Sequence, residues 1–366
     1  MKIISVVGAR PNFMKIAPIV EHIKKKRSFQ HILVHTGQHY DRKMSKSFFD
    51  DLGIPKPDID LGVGSSTHAN QTAQVMVKFE EILFAHQPDL VLVVGDVNST
   101  MACSIVASKL NIPVAHVEAG LRSFDRTMPE EINRLITDSI SNILFTTCRD
   151  ADRNLKKEGV PAKKIFFVGN VMIDTLIKNK KKTASSTVLK TMGLKKQEYV
   201  LVTLHRPSNV DNVQSLNNLM DIFANLQKRT KIIFPVHPRT RKQLIEFGCL
   251  EKAKALPNLT FTDPLGYLDF LKLMLNCKMV LTDSGGIQEE TSFLKIPCLT
   301  LRENTERPIT TTLGTNYLVG MKKNKIIKIA NQILDGKYKK GKAIPYWDGK
   351  AAQRIVNVLL QYAKKG

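Results

Sequence analysis

A chain of 366 residues, 43% hydrophobic and 24% charged, has the composition of a globular protein of about two domains. No apolar run approaches the roughly 18 residues of a membrane span, and Ile3 to Gly8 is too short for a signal-peptide core, so the cytoplasm is the expected compartment. The net charge of +22 would suit a polyanion, but much of it is lysine in clusters such as Lys24-Lys25-Lys26 and Lys180-Lys181-Lys182, without any nucleic-acid-binding motif; a solvated surface is expected and a specific nucleic-acid partner is not.

In chain order, short β-branched runs alternate with helical patterns, the signature of parallel α/β architecture. Strands are predicted at Lys2–Val7, His31–His35, Leu90–Val94, Val114–Val117, Ile143–Thr146 and Ile165–Val168. A second series follows at Tyr199–Leu204, Lys231–Val236, Asn258–Phe261, Met279–Thr282, Cys298–Leu301 and Tyr317–Val319. Amphipathic helices are predicted between them, among them Pro11–Lys26, Thr72–Gln87 and Asn212–Lys228. Lys178–Glu198, rich in Lys, Ser and Thr and without a strong apolar period, is the expected boundary between two Rossmann-like halves. A last helix is expected over Gly349–Lys364, with Ile355, Val358 and Leu359 on one face. The five cysteines are scattered, without a CxxC pair, so neither disulfides nor a zinc site are expected.

Ligands of open parallel sheets bind at the carboxyl ends of the strands, which makes the first polar residues after each strand informative. They are Gly8-Ala9-Arg10-Pro11-Asn12 with Lys15, Gly95-Asp96, and Glu118-Ala119-Gly120-Leu121-Arg122. In the second half they are His205-Arg206, His237-Pro238-Arg239, and Asp283 through Glu290. Each has a bland alternative. Glu118 and Arg122 fit a helical i,i+4 pair, Asp96 a cap for a helix near Asn98, Glu130 and Glu131 a complement to a helix N-terminus, and His205 and His237 satisfied structural histidines. Their coincidence at corresponding strand ends in both halves favours one cleft. Ser284-Gly285-Gly286 is the clearest phosphate signal, because glycines admit an anion to the backbone and the next helix offers free N–H groups. Glu290, one turn later, fits either a surface residue or a ribose ligand. No P-loop motif is present.

These residues resemble the non-hydrolysing UDP-N-acetylglucosamine 2-epimerase family. The match includes Gly8-Ala9-Arg10-Pro11, Thr36-Gly37-Gln38-His39-Tyr40-Asp41, His116 through Arg122, Pro129-Glu130-Glu131-Ile132-Asn133-Arg134, Asp283 through Glu290, and Thr305-Glu306-Arg307-Pro308. The resemblance implies an α/β protein of glycosyltransferase-B (GT-B) fold, with two Rossmann-like parallel α/β domains facing a central cleft. The expected divisions are 1–177, 178–348 and a C-terminal helix, 349–366, crossing back to the first domain, usually in a homodimer. It implies a cytoplasmic isomerase that interconverts UDP-GlcNAc and UDP-ManNAc for surface polysaccharide synthesis, with neither metal nor cofactor. Carried over, Asp96, Glu118 and Glu130 are catalytic carboxylates, with Arg134 beside them. Ser284, Gly285, Gly286 and Arg10 bind the diphosphate, Glu290 the ribose, and Phe270 lies near the uracil. Lys15, His205, His237 and Arg307 line the phosphates and sugar, His205 with a catalytic part.

The chain departs from many bacterial members at Val97-Asn98-Ser99-Thr100, at Arg206-Pro207-Ser208-Asn209 and at Tyr40-Asp41-Arg42. Two of these regions contribute to an activating substrate site in some relatives, so activation by substrate is not carried over, and a different UDP-2-acetamido sugar stays open. The same nucleotide site would also serve a GT-B glycosyltransferase, a hydrolysing epimerase or a nucleotide-sugar sensor. The three carboxylates favour the epimerase.

Overall fold

The computed structural model describes residues 1–37, 53 and 56–364. The chain divides into two compact units, one formed by Met1–Ile177 with the segment from Pro345, the other by Lys178–Ile344.

In the first unit the strands are β1 (Lys2–Val7), β2 (Gln30–His35), β3 (Ile59–Asp60), β4 (Leu90–Val94), β5 (Val114–Ala119), β6 (Ile143–Thr146) and β7 (Ile165–Phe167). They form one sheet in the order β3-β2-β1-β4-β5-β6-β7, every pair parallel. The two-residue β3 had no counterpart in the sequence reading, being too short to show a period. The reason for the parallel arrangement is visible in β4, whose Leu-Val-Leu-Val-Val run is buried at every position, as strands covered on both faces require. The second unit repeats the plan with β8 (Tyr199–Thr203), β9 (Lys231–Pro235), β10 (Leu259–Thr262), β11 (Met279–Thr282), β12 (Cys298–Thr300) and β13 (Asn316–Leu318), ordered β10-β9-β8-β11-β12-β13 and again parallel. Both are doubly wound sheets of Rossmann order. Each therefore has a topological switch point, between β1 and β4 in one and β8 and β11 in the other, where the crossovers diverge and a crevice opens beyond the strand ends.

Helices at Arg10–Lys24, His68–His86 and Val213–Leu226 occupy the predicted stretches with ends shifted by a few residues. The C-terminal helix runs Ala351–Ala363 and belongs to the first unit. Its buried stripe is Ala351, Ala352, Ile355, Val356 and Leu359; Val358, expected on that face, is only half-buried. Asp174 caps this helix from a distance, accepting the Ala351 N–H at 3.2 Å and the Ala352 N–H at 2.8 Å. Trp347 Nε1 donates to the Thr147 carbonyl at 3.0 Å, and Arg354 Nη1 to that of Val168 at 3.0 Å. Removing the cap in Asp174→Ala should lower stability by about 1–2 kcal/mol. Thermal melts at or below pH 4 check this, because a carboxyl whose pKa is raised from 3.8 to about 6 contributes fully only below its unfolded value, and the contribution is lost as pH rises through 6.

All five cysteines are buried and unpaired. Among the described residues, no helix is long and apolar enough to cross a membrane, and no group of three or more His, Cys, Asp or Glu is placed to hold a metal ion.

Candidate active site

At the switch point of the first unit, Asn12 ties the two diverging strands together. Its Oδ1 accepts the Gly8 N–H (3.2 Å) and the Ala9 N–H (2.9 Å), while Nδ2 donates to the Val94 carbonyl at the end of β4 (2.9 Å). Arg10 opens the following helix and is partly exposed. Lys15, one turn further, is 6% exposed and ion-paired with Glu118. Gly95 makes room for it: the residue has φ +71°, and a Cβ there would come within 2.9 Å of Lys15 Nζ and 3.2 Å of Asn12 Nδ2.

Glu118 is held in an unusual conformation. The β5–β6 register shifts between Val117 and Ala119, and Glu118 has φ +75°, a left-handed backbone that costs a non-glycine residue about 1–2 kcal/mol. Strain of this kind survives only where the surroundings over-determine it, and it concentrates at functional positions. Here a buried ion cluster does so. His116 Nδ1 donates to Asp138 Oδ1 (2.7 Å) and Nε2 to the Gly95 carbonyl (2.8 Å). Asp138 Oδ2 accepts the Gly120 N–H (3.0 Å) and pairs with Arg122 Nη1 (2.7 Å). Burial alone would raise the Asp138 carboxyl, but His116 and Arg122 outweigh it and hold the group below the usual carboxylate range. The helical Glu118–Arg122 pair offered as an alternative does not form. Glu118 lies in β5, and Arg122 pairs with Asp138 and Glu158.

Asp96 does not cap the helix that follows it. Val97 occupies the cap position without a side-chain bond, and Asp96 Oδ2 instead receives Arg134 Nε (3.1 Å) and Nη2 (2.9 Å). Asn133 Nδ2 donates to the Asp96 carbonyl at 2.9 Å. Glu130, partly exposed, sits in the first turn of the Pro129–Ile140 helix, where its charge complements the helix dipole. Its neighbour Glu131 is fully buried and bonded to Arg134 and to the turn at Ser123–Phe124.

In the second unit, His205 follows β8 and Asp283 follows β11, so they meet across that switch point. His205 Nδ1 lies 3.0 Å from Asp283 Oδ1, and Asp283 Oδ2 accepts the backbone N–H groups of His205 (3.0 Å) and Arg206 (2.8 Å). Although burial works to raise Asp283, the His205 hydrogen bond and charge and these N–H groups keep it ionised below the usual range. The His237 ring centroid is 5.6 Å from that of His205, and its Nδ1 accepts the Arg239 N–H at 3.2 Å, so it caps the Pro238–Glu246 helix as the structural alternative supposed.

The Gly285–Leu294 helix begins after Ser284, which makes no side-chain cap. Gly285 is required by what packs on it: a Cβ would come within 2.6 Å of Arg307 Nη1 and 2.8 Å of Glu306 Oε1. Gly286 is the second residue of this helix. Arg307 is buried with Nε 2.8 Å from Glu289 Oε1 and Nη1 on Glu306, and Glu306 also pairs with Arg302 at 2.9 Å. Glu290 is 2% exposed, which excludes the surface role, and accepts the Tyr267 hydroxyl at 2.8 Å. Burial pushes its pKa up to about 7, against the Tyr267 hydrogen bond and with help from Glu289. Phe270, half-buried, lies one turn beyond Tyr267 in the Tyr267–Asn276 helix.

The structure thus joins Lys15 to Glu118, Asp96 to Arg134, His205 to His237, and Gly285 to Arg307. The motif residues Gln38, His39, Tyr40 and Asp41 lie outside the described residues. Sequence reasoning gives no functional role to Asp138, Glu289 or Tyr267, and reads Glu131 only as a complement to a helix N-terminus. Tyr267 opens an apolar helix and reads as core, while Asp138 and Glu131 look like the polar face of a surface helix.

A profile of the UDP-N-acetylglucosamine 2-epimerase family matches residues 21–360. A UDP-N-acetylglucosamine 2-epimerase homolog of Methanococcus maripaludis is 51% identical over 330 residues, covering 90% of this chain and 91% of its own. The UDP-2,3-diacetamido-2,3-dideoxy-D-glucuronate 2-epimerase of Pseudomonas aeruginosa is 40% identical, covering 98% and 99%. Among solved structures, that of Methanocaldococcus jannaschii UDP-GlcNAc 2-epimerase in complex with UDP-GlcNAc and UDP superposes with a TM-score of 0.91 at 43% identity, covering 99% of this chain and all of the other. The two parallel-sheet α/β domains of this chain are of GT-B type. The chain belongs to the UDP-N-acetylglucosamine 2-epimerase family.

Proposed function

We propose that the protein is a non-hydrolysing UDP-N-acetylglucosamine 2-epimerase, an isomerase that interconverts UDP-GlcNAc and UDP-ManNAc. The observation that carries this reading is Glu118, a carboxylate held at φ +75° beside Lys15 and anchored at a strand end by buried ions. The C2–H of an intact sugar is not adjacent to a carbonyl, so its direct removal would leave an unstabilised carbanion. If the C1–O bond to UDP breaks first or concurrently, its electrons leave with the diphosphate. The C2–H electrons then form the C1=C2 bond of 2-acetamidoglucal and the proton passes to a carboxylate. Return of the diphosphate oxygen to C1, with protonation of C2 from the other face, gives the epimer.

Asp96, Glu118 and Glu130 supply the acids and bases. Arg134 pairs with Asp96 and Lys15 with Glu118, which orients both carboxylates. The N-terminal turn of the Ser284-Gly285-Gly286 helix, His205, Arg307 and Arg10 receive the departing diphosphate. His237 stands beside His205, Glu290 takes the ribose hydroxyls and Phe270 the uracil. We also propose that the enzyme is a cytoplasmic homodimer that supplies a precursor for polysaccharide synthesis and requires neither metal nor cofactor.

Incubation with UDP-GlcNAc alone, followed by NMR, tests the reading: a reversible mixture with UDP-ManNAc is expected, and full rate after exhaustive EDTA treatment. Free N-acetylmannosamine would indicate a hydrolysing enzyme. Conversion of a UDP-2,3-diacetamido uronate in place of UDP-GlcNAc would move the substrate to that of the Pseudomonas relative. Lack of reaction with either would leave glycosyl transfer or nucleotide-sugar sensing.

A further inference from the structure

We propose that Glu131 is a positioning residue for the epimerisation, its carboxylate fixing the Arg134 guanidinium so that Nε and Nη2 stay on Asp96. The inference rests on the functional reading above.

Arg134 is 2% exposed and lies between two carboxylates. Glu131 Oε2 takes Nη1, and Asp96 Oδ2 takes Nε at 3.1 Å and Nη2 at 2.9 Å. A guanidinium is planar with its donors in a fixed fork, so carboxylates on different edges set both its plane and its rotation. Asp96 is partly exposed and by itself would be a poor anchor, whereas Glu131 is 1% exposed. Glu131 is itself immobilised: Oε2 accepts the Ser123 N–H (2.9 Å) and the Ser123 hydroxyl (3.0 Å), and Oε1 the Phe124 N–H (2.9 Å). Asn133, on the same helix, adds a bond from Nδ2 to the Asp96 carbonyl at 2.9 Å. One helix therefore orients both the side chain and the backbone of Asp96, and Glu131 is the fixed end of that linkage.

The competing role for Glu131 is to fold the 123–124 turn, where Phe124 has φ +59° and is 79% exposed. The two ends of the carboxylate can be cut separately. Ser123→Ala weakens the turn and leaves Arg134 bound. Arg134→Lys removes the fork and leaves the turn. Glu131→Gln loses the charge that holds Arg134.

Turnover is measured first on the wild type with UDP-GlcNAc and with a UDP-2,3-diacetamido uronate, and the variants are compared on whichever is epimerised. Glu131→Gln should lower kcat about tenfold or more with the affinity for UDP unchanged, and Ser123→Ala should stay within about twofold. The double variant Glu131→Gln/Arg134→Lys should fall about as far as the worse single variant, since groups acting through one another are not additive. Thermal melts confirm that the assays compare folded protein. Should the Gln variant melt early, Glu131→Asp keeps the charge but is too short to hold both ends, and is read in the same cycle with the same expectation. Additive losses, a Ser123→Ala defect equal to that of the Glu131 variant, or normal kcat in the Glu131 variants would each overturn the inference while wild-type activity keeps the functional reading intact. A wild type that epimerises neither sugar removes the functional reading and the positioning role with it.

Discussion

Asp96→Asn, Glu118→Gln and Glu130→Gln should each lower epimerase turnover by roughly a hundredfold or more, the scale on which a general acid or base contributes. UDP affinity should survive in all three, because the diphosphate and ribose ligands are assigned chiefly to residues 178–344. The largest loss is expected at Glu118. Its carboxylate is paired with Lys15 and aimed by a left-handed backbone, so no neighbouring acid can take its position. In deuterium oxide the wild-type product should carry deuterium at C2, since the acid that protonates C2 from the other face exchanges its proton with solvent. A variant lacking only the group that returns the proton should release UDP and 2-acetamidoglucal, whereas one lacking the abstracting base should release neither. NMR of the sugar products and titration of UDP binding check both halves of the argument. Product free of solvent deuterium, together with near-normal turnover in all three variants, would falsify the elimination mechanism and the carboxylate assignment together.

Much of this site was legible in the sequence because its residues follow strands, and strands announce themselves. Leu90–Val94 and Met279–Thr282 were read with the bounds they have in the structure, so Asp96 and Asp283 fell at strand ends without further help. What did not show was which charged group answers which. Glu118 and Arg122 are spaced as a helical pair, yet Lys15 and Asp138 are their partners, the latter 16 residues beyond Arg122 on another element. A bulge that inverts φ at a glutamate leaves no local trace, and the His116–Asp138 bond beside it joins residues 22 apart in sequence. Glu131 was equally opaque. Two adjacent acids at a helix start look alike in sequence, but one turns inward to Arg134 and the other stays partly exposed. The alternatives separated in the same way, through tertiary packing: Asp96 lost its capping role to an ion pair, while His237 acquired one.

Glu290 carries the second large effect, and its sign follows from burial. A carboxyl whose folded-state pKa is raised from 4.5 to about 7 binds a proton more tightly folded than unfolded. Its contribution to stability is therefore fully present below the unfolded value and is lost as pH rises through the folded one. Glu290→Gln keeps an acceptor for the Tyr267 hydroxyl and removes the desolvated charge. The variant should match the wild type in stability near pH 4.5 and exceed it increasingly up to about pH 7. Above that pH the difference should level off at on the order of 3 kcal/mol, measured by denaturant unfolding. Binding should change in the opposite sense. An ionised Glu290 accepts hydrogen bonds from ribose hydroxyls, so wild-type UDP affinity should increase between pH 6 and pH 8. In the Gln variant it should be weaker and should change less over that range, by the share that Glu290 contributes. A group retained at a cost to stability and needed in its charged form for the ligand is the pattern of a binding residue. If Glu290→Gln were neither more stable at pH 8 nor weaker for UDP, the carboxyl would be a packing element of the Tyr267–Asn276 helix contact, and the ribose assignment would have to move elsewhere.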